Sequence, residues 1–143
     1  MAVKWTKEAN IRTLGFFMLG LPGDDDKSMR ETLIFAKRLN LDRVTFCITQ
    51  PFPGSEIYKT AVTTGELKKH VEYRYYDYNL ITNFYKDVPY VPNGLSAEVL
   101  IKFRHRSYRE FYLRPAYLFK QLLNYNEFKG LPERIVAFLK AII

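Results

Sequence analysis

The first 55 residues contain two apolar runs, and a stretch with the apolar spacing of a helix lies between them. An apolar run at 13–19 ends in the turn 20–23, and a second at 44–49 ends in the turn 51–55. Between them, four apolar residues recur at helical spacing: Met29, Leu33, Ala36 and Leu39. Strand, helix and strand in this order predict one βαβ unit with parallel strands. Such proteins bind ligands at the carboxyl ends of their strands, so we expect a site near both turns.

The start of the predicted helix and the first strand each carry a further signal. Asp24, Asp25 and Asp26 follow the turn directly, where carboxylates accept hydrogen bonds from free helix N–H groups. We therefore favour helix capping over metal binding for these residues and predict the helix over 26–39.

The strand at 13–19 is apolar on both faces, which predicts a parallel strand that is covered on each side.

Helices dominate the predictions for the second half of the chain. A short helix is expected over 55–63, and a long one begins after the N-cap residue Ser96 and reaches about Leu113. Its buried stripe is predicted to consist of Leu100, Phe103, Ser107 and Phe111. Further helices are expected over 116–124 and 132–142.

The stretch 72–90 is rich in tyrosine and predicts either a strand pair or an aromatic loop. We divide the chain into an α/β part (1–64), an aromatic connecting region (65–94) and a helical subdomain (95–143). The predicted fold class is α/β, with a barrel or sheet that two strands alone do not complete.

Composition limits the function classes without choosing one. The 143 residues suit one domain with a real core, and the net charge of +7 permits contacts with phosphates, nucleic acid or anionic membranes. No apolar run approaches the roughly 20 residues of a membrane span, and the amino terminus does not read as a signal peptide, so a cytoplasmic location is expected.

The basic helix raises a separate hypothesis about nucleic acid. Four cations and two tyrosines on it could hold phosphates and stack bases: Lys102, Arg104, Arg106, Arg109, Tyr108 and Tyr112. A solvated helix face is the favoured interpretation. The hypothesis keeps open a stand-alone module that binds RNA or another protein.

Residues with metal or nucleophile chemistry are few. Cys47 is the single cysteine, which excludes an internal disulfide and a site built from several cysteines. Its β-branched and aromatic neighbours indicate a buried apolar role. His70 and His105 show no spacing that would pair them. We assign no catalytic residue and no metal ligand.

Three motifs in a fixed order carry a resemblance to a known family. The run 15–23 followed by acidic residues is similar to a fifth barrel strand with its GLPGE turn, 50–55 is similar to the P-x-PGT turn after a sixth strand, and 111–115 reads FYLRP. With these motifs the chain resembles the C-terminal part of a radical S-adenosylmethionine protein of the cobalamin-domain-linked group. That group includes the anaerobic magnesium-protoporphyrin IX monomethyl ester oxidative cyclase.

The resemblance implies a partial TIM-type barrel and a set of cofactor contacts. Met18 and Gly20 would occupy the apolar and glycine positions of an I-x-G-x-x-E pattern that packs against the adenine of S-adenosylmethionine. Gly23 stands at the acidic position of that pattern, and Asp24 follows one residue later. Gln50 and Pro51, at the end of the sixth strand, would line the same pocket.

The resemblance also implies groups that this chain does not supply. The family's radical chemistry uses a [4Fe–4S] cluster held by C-x-x-x-C-x-x-C, and Cys47 alone does not hold one. We therefore expect a fragment that is inactive alone, whose parent binds S-adenosylmethionine, the cluster and, in this group, cobalamin. The parent would make a 5′-deoxyadenosyl radical and modify an organic substrate such as a tetrapyrrole.

The expected partners of such a fragment follow from its edges. They are the rest of the parent barrel and the small-molecule substrate, whereas nucleic acid is not favoured. Because the strands would have unpaired rims, we expect self-association, with strands pairing between copies or the helical half folding over the rim.

Overall fold

The structure is a computed structural model that describes residues 2–67, 88 and 90–123. Its elements in chain order are α1 (Ala2–Glu8), β1 (Leu14–Leu19), α2 (Asp26–Arg38), β2 (Arg43–Ile48), α3 (Glu56–Thr63), α4 (Ala97–Tyr112) and α5 (Pro115–Leu123). The predicted helix over 132–142 and most of the aromatic stretch 72–90 lie outside the described residues. None of the helices in the described ranges is long and apolar enough to cross a membrane.

The two strands form a parallel pair, as the βαβ pattern predicts. The register runs from Leu14 opposite Arg43 to Leu19 opposite Ile48. Among the described residues the sheet has these two strands. The fold is therefore mixed α/β, and the division of the chain at residues 64 and 94 stays a prediction.

Helix α2 begins as its acidic sequence predicts. Asp25 is the N-cap, and its carboxylate accepts from the Ser28 N–H at 2.7 Å while the Ser28 hydroxyl accepts from the Asp25 N–H at 3.0 Å. This reciprocal pair is a capping box. Three of the four residues predicted to face the core are buried: Met29, Leu33 and Ala36. Capping therefore accounts for the Asp25 carboxylate, as the sequence predicts.

The prediction that β1 is covered on both faces is wrong for the described structure. The side chains of Leu14, Phe16 and Met18 are 51%, 63% and 45% exposed. Helices α2 and α4 both pack on the opposite face, where Leu19 and Phe46 are fully buried. We call the uncovered side, with Leu14, Phe16 and Met18 of β1 and Thr45 and Cys47 of β2, the open face.

A chain of aromatic rings forms the centre of the covered side. Phe17 contacts Phe35 of α2 with ring centroids 6.5 Å apart and Phe46 of β2 at 5.6 Å. Phe46 in turn meets Tyr108 of α4 edge-on at 5.4 Å. The predicted stripe of α4 is confirmed, since all four of its residues are buried: Leu100, Phe103, Ser107 and Phe111. The rings thus join the βαβ unit and α4 in one core.

Candidate functional site

The turn after β1 is held in a defined shape by backbone and carboxylate contacts. Gly20 and Gly23 adopt φ values of +75° and +82°, which glycine reaches without strain. The Asp24 carboxylate accepts from the Leu21 N–H at 2.9 Å and from the Ser28 hydroxyl at 2.7 Å. Asp24 thereby joins the turn to the first turn of α2.

The segment after β2 lies beside this turn. The Thr49 N–H donates to the Leu19 carbonyl at 2.8 Å, so the strands stay paired to their carboxyl ends. Gln50 is half-buried and Pro51 is fully buried. The two turns therefore meet at one edge of the sheet, as the parallel arrangement requires.

A third segment, around residue 90, pairs with the residues that follow α3. Tyr90 pairs with Leu67 in an antiparallel bridge, and the Asn93 N–H donates to the Glu66 carboxylate at 2.8 Å. Burial raises the pKa of Tyr90, and the charges of Glu66 and Asp24 raise it further.

The structure brings the four sequence-predicted residues to the same end of the sheet, with different access to solvent. Met18 lies on the open face and is 45% exposed, and Gln50 is half-buried. Gly20 and Pro51 are buried. Contact with a cofactor stays a prediction for all four residues.

Gly20 has a structural role that the sequence analysis did not anticipate. A Cβ added there would lie 3.0 Å from Leu100 Cδ2 of α4. The missing side chain therefore lets α4 approach the end of β1, in addition to permitting the positive φ. Ligand approach is not needed to explain this glycine.

Thr49 is a polar residue at this edge that the sequence analysis missed. Its side chain is 1% exposed, and within the described part of the chain its hydroxyl has no hydrogen-bond partner. A buried hydroxyl without a partner costs about 1–3 kcal/mol. Threonine is common in strands, so no signal in the sequence distinguishes it.

Side chains of α4 satisfy the outer edge of β2. The Phe46 N–H donates to the Tyr108 hydroxyl at 3.1 Å, and the Val44 N–H donates to the Tyr112 hydroxyl at 3.0 Å. Arg104 Nε donates to the Phe46 carbonyl at 2.9 Å, and the Tyr112 hydroxyl donates to the Val44 carbonyl at 3.0 Å. We call Arg104, Tyr108 and Tyr112 the edge clamp. Their spacing of four residues places them on one face of the helix.

The edge clamp changes the interpretation of the basic helix. Arg104 and Tyr108 are buried and Tyr112 is half-buried, so these three face the sheet and not a solvated surface. Lys102 pairs with Glu98 at 2.6 Å. Half of the residues proposed for nucleic-acid contacts therefore have a structural role.

Arg114, in the FYLRP segment, fastens the ends of two helices. Its Nε donates to the Phe111 carbonyl at 2.8 Å and its Nη1 to the Lys37 carbonyl at 2.6 Å. The guanidinium also lies over the Phe111 ring, 4.1 Å from the centroid. Since these carbonyls lie at the ends of α4 and α2, the segment ties the helices together.

The Glu110 carboxylate joins α4 to α2 and makes stability depend on pH. It accepts from Arg106 at 2.6 Å and Lys37 at 3.0 Å, and these contacts lower its pKa. Because its folded pKa lies below the ordinary 4.5, the stabilisation is complete above that pH and is lost as pH falls through the folded value. We expect Glu110→Gln to lower the free energy of unfolding by about 0.5–1 kcal/mol at pH 7, measured by urea denaturation.

In the same experiment, the difference in free energy of unfolding between the wild type and Glu110→Gln should become smaller as the pH falls. Below the folded pKa of Glu110 the wild-type carboxyl is neutral, so the two proteins should approach equal stability. Glu98→Gln is the matched control, because its pair with Lys102 is 74% exposed on both sides and solvent screens it. A Glu110→Gln effect that stays constant from pH 7 to 3 would contradict the assignment.

The residues described here do not fit a metal cluster. They contain no group of three or more His, Cys, Asp or Glu side chains that could hold a metal ion. Burial raises the pKa of the Cys47 thiol, although Arg104 opposes the shift. A raised pKa disfavours the thiolate that binds metals.

Comparison with known proteins gives one informative relation. No protein-family profile matches the chain. The chain is similar to an uncharacterized methyltransferase of Pyrococcus horikoshii, with 28% identity over 131 residues. The match covers 89% of this chain and 26% of that protein, so the chain spans about a quarter of the length of the curated relative it matches.

Proposed function

We propose that this chain forms one wall of the S-adenosylmethionine pocket in a larger methyl-transferring enzyme of the radical type. The proposal rests on the observation that the carboxyl ends of β1 and β2 lie side by side at one edge of the sheet. There Met18 is exposed on the open face, and the Gly20 turn lies beside Thr49 and Gln50. Ligands of parallel α/β proteins bind at this position.

The chemistry of this edge suits an adenosyl group. Adenine has a flat apolar face, and Phe16 and Met18 offer apolar contacts on the open face. The Thr49 hydroxyl, which has no partner in the described ranges, would find one in a polar ligand or in a further part of the protein. Gln50 adds an amide at the end of the same strand.

Two arguments support the reaction class. Methyltransferases commonly take their methyl group from S-adenosylmethionine, and the name of the relative favours methyl transfer over oxidative cyclisation. The three motifs support the radical type. Because the chain spans about a quarter of that relative, the full activity would belong to a longer protein.

This chain's own residues would bind and orient the cofactor. An iron–sulfur cluster, in the radical type, supplies the electron that begins the reaction. Its ligands do not fit the residues described here, among which no group of His, Cys, Asp or Glu side chains could hold a metal ion. We therefore assign to this chain the binding of the adenosyl group and the exclusion of water from its apolar side.

A titration of the isotope-labelled chain with S-adenosylmethionine tests the proposal. We expect weak binding, with a dissociation constant on the order of 1 mM, because one wall of the pocket is present. NMR shifts should concentrate at Met18, Gly20 and Gln50. Met18→Glu should abolish them, because it places a charge and a polar surface against the adenine.

Leu14→Glu is the matched control for that titration. Leu14 lies on the same open face at the other end of β1, with 51% exposure against 45% for Met18. It should leave the shifts unchanged. Thr49→Val replaces the buried hydroxyl with a methyl group of similar size, so it should weaken the shifts without unfolding the chain. Shifts absent at about 5 mM ligand, or equal at both ends of β1, would refute the proposal.

A further inference from the structure

An open groove lies beside the last turns of α4, on the exposed side of that helix. It has a volume of about 560 Å³, and five residues line it: Arg106, Arg109, Glu110, Leu113 and Arg114. We call it the arginine groove. Since three of its lining side chains are guanidiniums, the groove attracts anions.

The arginine groove lies at the other end of the sheet from the two strand turns. Leu100, near the start of α4, lies against Gly20 at the carboxyl end of β1. Tyr112, at the end of α4, bonds to Val44 near the amino end of β2. Helix α4 therefore runs opposite to the strands, and from Leu100 to Arg109 it rises about 14 Å. The groove is thus separate from the site proposed for S-adenosylmethionine.

Within the described residues, carboxylates do not balance the positive charges of the groove. Glu110 is the acidic residue that lines it, and its carboxylate already accepts from Arg106 at 2.6 Å and Lys37 at 3.0 Å. Arg114 donates to two carbonyl oxygens and pairs with no carboxylate in this part of the chain. The Arg109 side chain has neither a hydrogen bond nor an ion pair there. Burial lowers the pKa of Arg114, so a counter-charge would stabilise its charged form.

The end of a helix does not account for three guanidiniums. The carboxyl end of α4 carries a partial negative charge of about half an elementary charge, which a single cation balances. Arg114 uses two of its five N–H groups on the carbonyls of Phe111 and Lys37. Its other N–H groups and the guanidinium of Arg109 therefore remain for an anion.

The shape of the site indicates which anion it suits. Planar guanidinium forks donate paired hydrogen bonds to phosphate oxygens, and one phosphate accepts from several forks at once. A nucleic-acid backbone requires a groove of cations that follows its path. Here the arginines line one groove, and Lys102, farther along the same side of α4, is paired with Glu98 at 2.6 Å. The exposed Leu113 offers an apolar contact to the rest of a small molecule.

We propose that the arginine groove binds the phosphate group of a small phosphorylated molecule, which Arg106, Arg109 and Arg114 hold. The bonds of Arg114 to two carbonyls and of Arg106 to Glu110 fix these two forks before the ligand arrives. Glu110 opposes binding, because its charge repels the phosphate and its carboxylate occupies Arg106. The proposal does not involve S-adenosylmethionine, so failure of the proposed function leaves it unaffected.

A titration of the chain, labelled with ¹³C and ¹⁵N, with inorganic phosphate tests the proposal at pH 7. Sodium chloride holds the ionic strength constant. The side-chain Nε and Cζ signals of Arg109 and Arg114 should shift and saturate, with a dissociation constant on the order of 1–10 mM. The signals of Met18 and Gly20, at the other end of the sheet, should stay in place. No saturation up to about 50 mM phosphate, or equal shifts with chloride alone, would overturn the proposal.

Arg109→Gln and Lys102→Gln form a matched pair, because each removes one positive charge from the exposed side of α4. Arg109→Gln should weaken phosphate binding at least about 5-fold, since it removes one fork from the groove. Lys102→Gln should change the dissociation constant by less than about 2-fold, because Lys102 lies outside the groove and is paired with Glu98. Equal weakening in both variants would mean that net charge alone attracts phosphate, which would overturn the proposal.

Glu110→Gln and Glu98→Gln test the opposite change of charge. Glu110→Gln removes the negative charge from the groove and releases Arg106, so phosphate should bind about 2- to 5-fold more tightly. Glu98→Gln makes the same change beside Lys102 and should leave the affinity unchanged. Unchanged or weaker binding by the folded Glu110→Gln variant would overturn the assignment of the groove.

A single-stranded RNA of ten nucleotides tests the other source of phosphate. It should bind at most about 10-fold more tightly than inorganic phosphate, which is the statistical gain from its several phosphates, and Lys102→Gln should not weaken it. If RNA binds more tightly than that, or if Lys102→Gln weakens it, the occupant is a nucleic-acid backbone and the proposed occupant is wrong.

Discussion

Phe46→Ala is expected to lower the free energy of unfolding by about 3–5 kcal/mol, the usual cost of removing a buried phenylalanine. Phe46 is fully buried in the middle of β2, and its ring contacts Phe17 on one side and Tyr108 on the other. The substitution therefore leaves a cavity between β1 and α4. Small domains have about 5–15 kcal/mol of stability in total, so the loss should be visible directly in urea denaturation.

Phe16→Ala is the matched control for this prediction. It makes the same chemical change on the adjacent strand, but the ring is 63% exposed on the open face. We expect a change within about 0.5 kcal/mol. If Phe16→Ala destabilised the chain as much as Phe46→Ala, the open face would be covered in solution and the assignment of the two faces would be wrong.

The elements that the sequence predicts well are those determined by local patterns. The apolar runs place β1 and β2, apolar residues at helical spacing place α2, and Asp25 and Ser96 mark helix starts as N-caps. In each case the signal lies within a few residues of the feature it predicts. The stripe of α4 is likewise visible at 3.6-residue spacing, because burial follows the period of the helix.

The features that sequence reasoning missed depend on contacts between distant segments. The apolar pattern of β1 is the same whether its second face is covered by this chain or by another part of a protein. Arg104 and Tyr112 look like a solvated basic face until β2 is placed beside them. Gly20 is visible as a turn residue, but its contact with Leu100 joins positions 80 residues apart in sequence.

The sequence predicts where the candidate site lies better than it predicts which of the site's residues are exposed. Parallel strands place their carboxyl ends together, so the sequence predicts a site near both turns, and the family resemblance implies that Met18 and Gln50 belong to it. The exposure of each residue to solvent could not be predicted, since Pro51 is buried while Met18 is exposed. Thr49 was missed because it stands out only through its buried hydroxyl, which has no hydrogen-bond partner in the described structure, and a sequence does not show this.

Two single substitutions in the edge clamp should each destabilise the protein by about 1–2 kcal/mol and act on different amides. Tyr108→Phe removes the acceptor of the Phe46 N–H, and Tyr112→Phe removes the partner of both the N–H and the carbonyl of Val44. Each substitution keeps the ring and deletes one oxygen, so packing is preserved. The cost comes from leaving strand groups in the protein interior without hydrogen bonds.

Hydrogen exchange makes the two variants controls for each other. Tyr108→Phe should accelerate exchange at Phe46 by about 5- to 30-fold with a smaller change at Val44, and Tyr112→Phe should show the reverse. In the double variant the effects should not add, because the two rings stack 6.2 Å apart in one network. If both variants accelerated all strand amides equally, the hydroxyls would act on global stability alone. The hydrogen bonds of the edge clamp with β2 would then not form in solution.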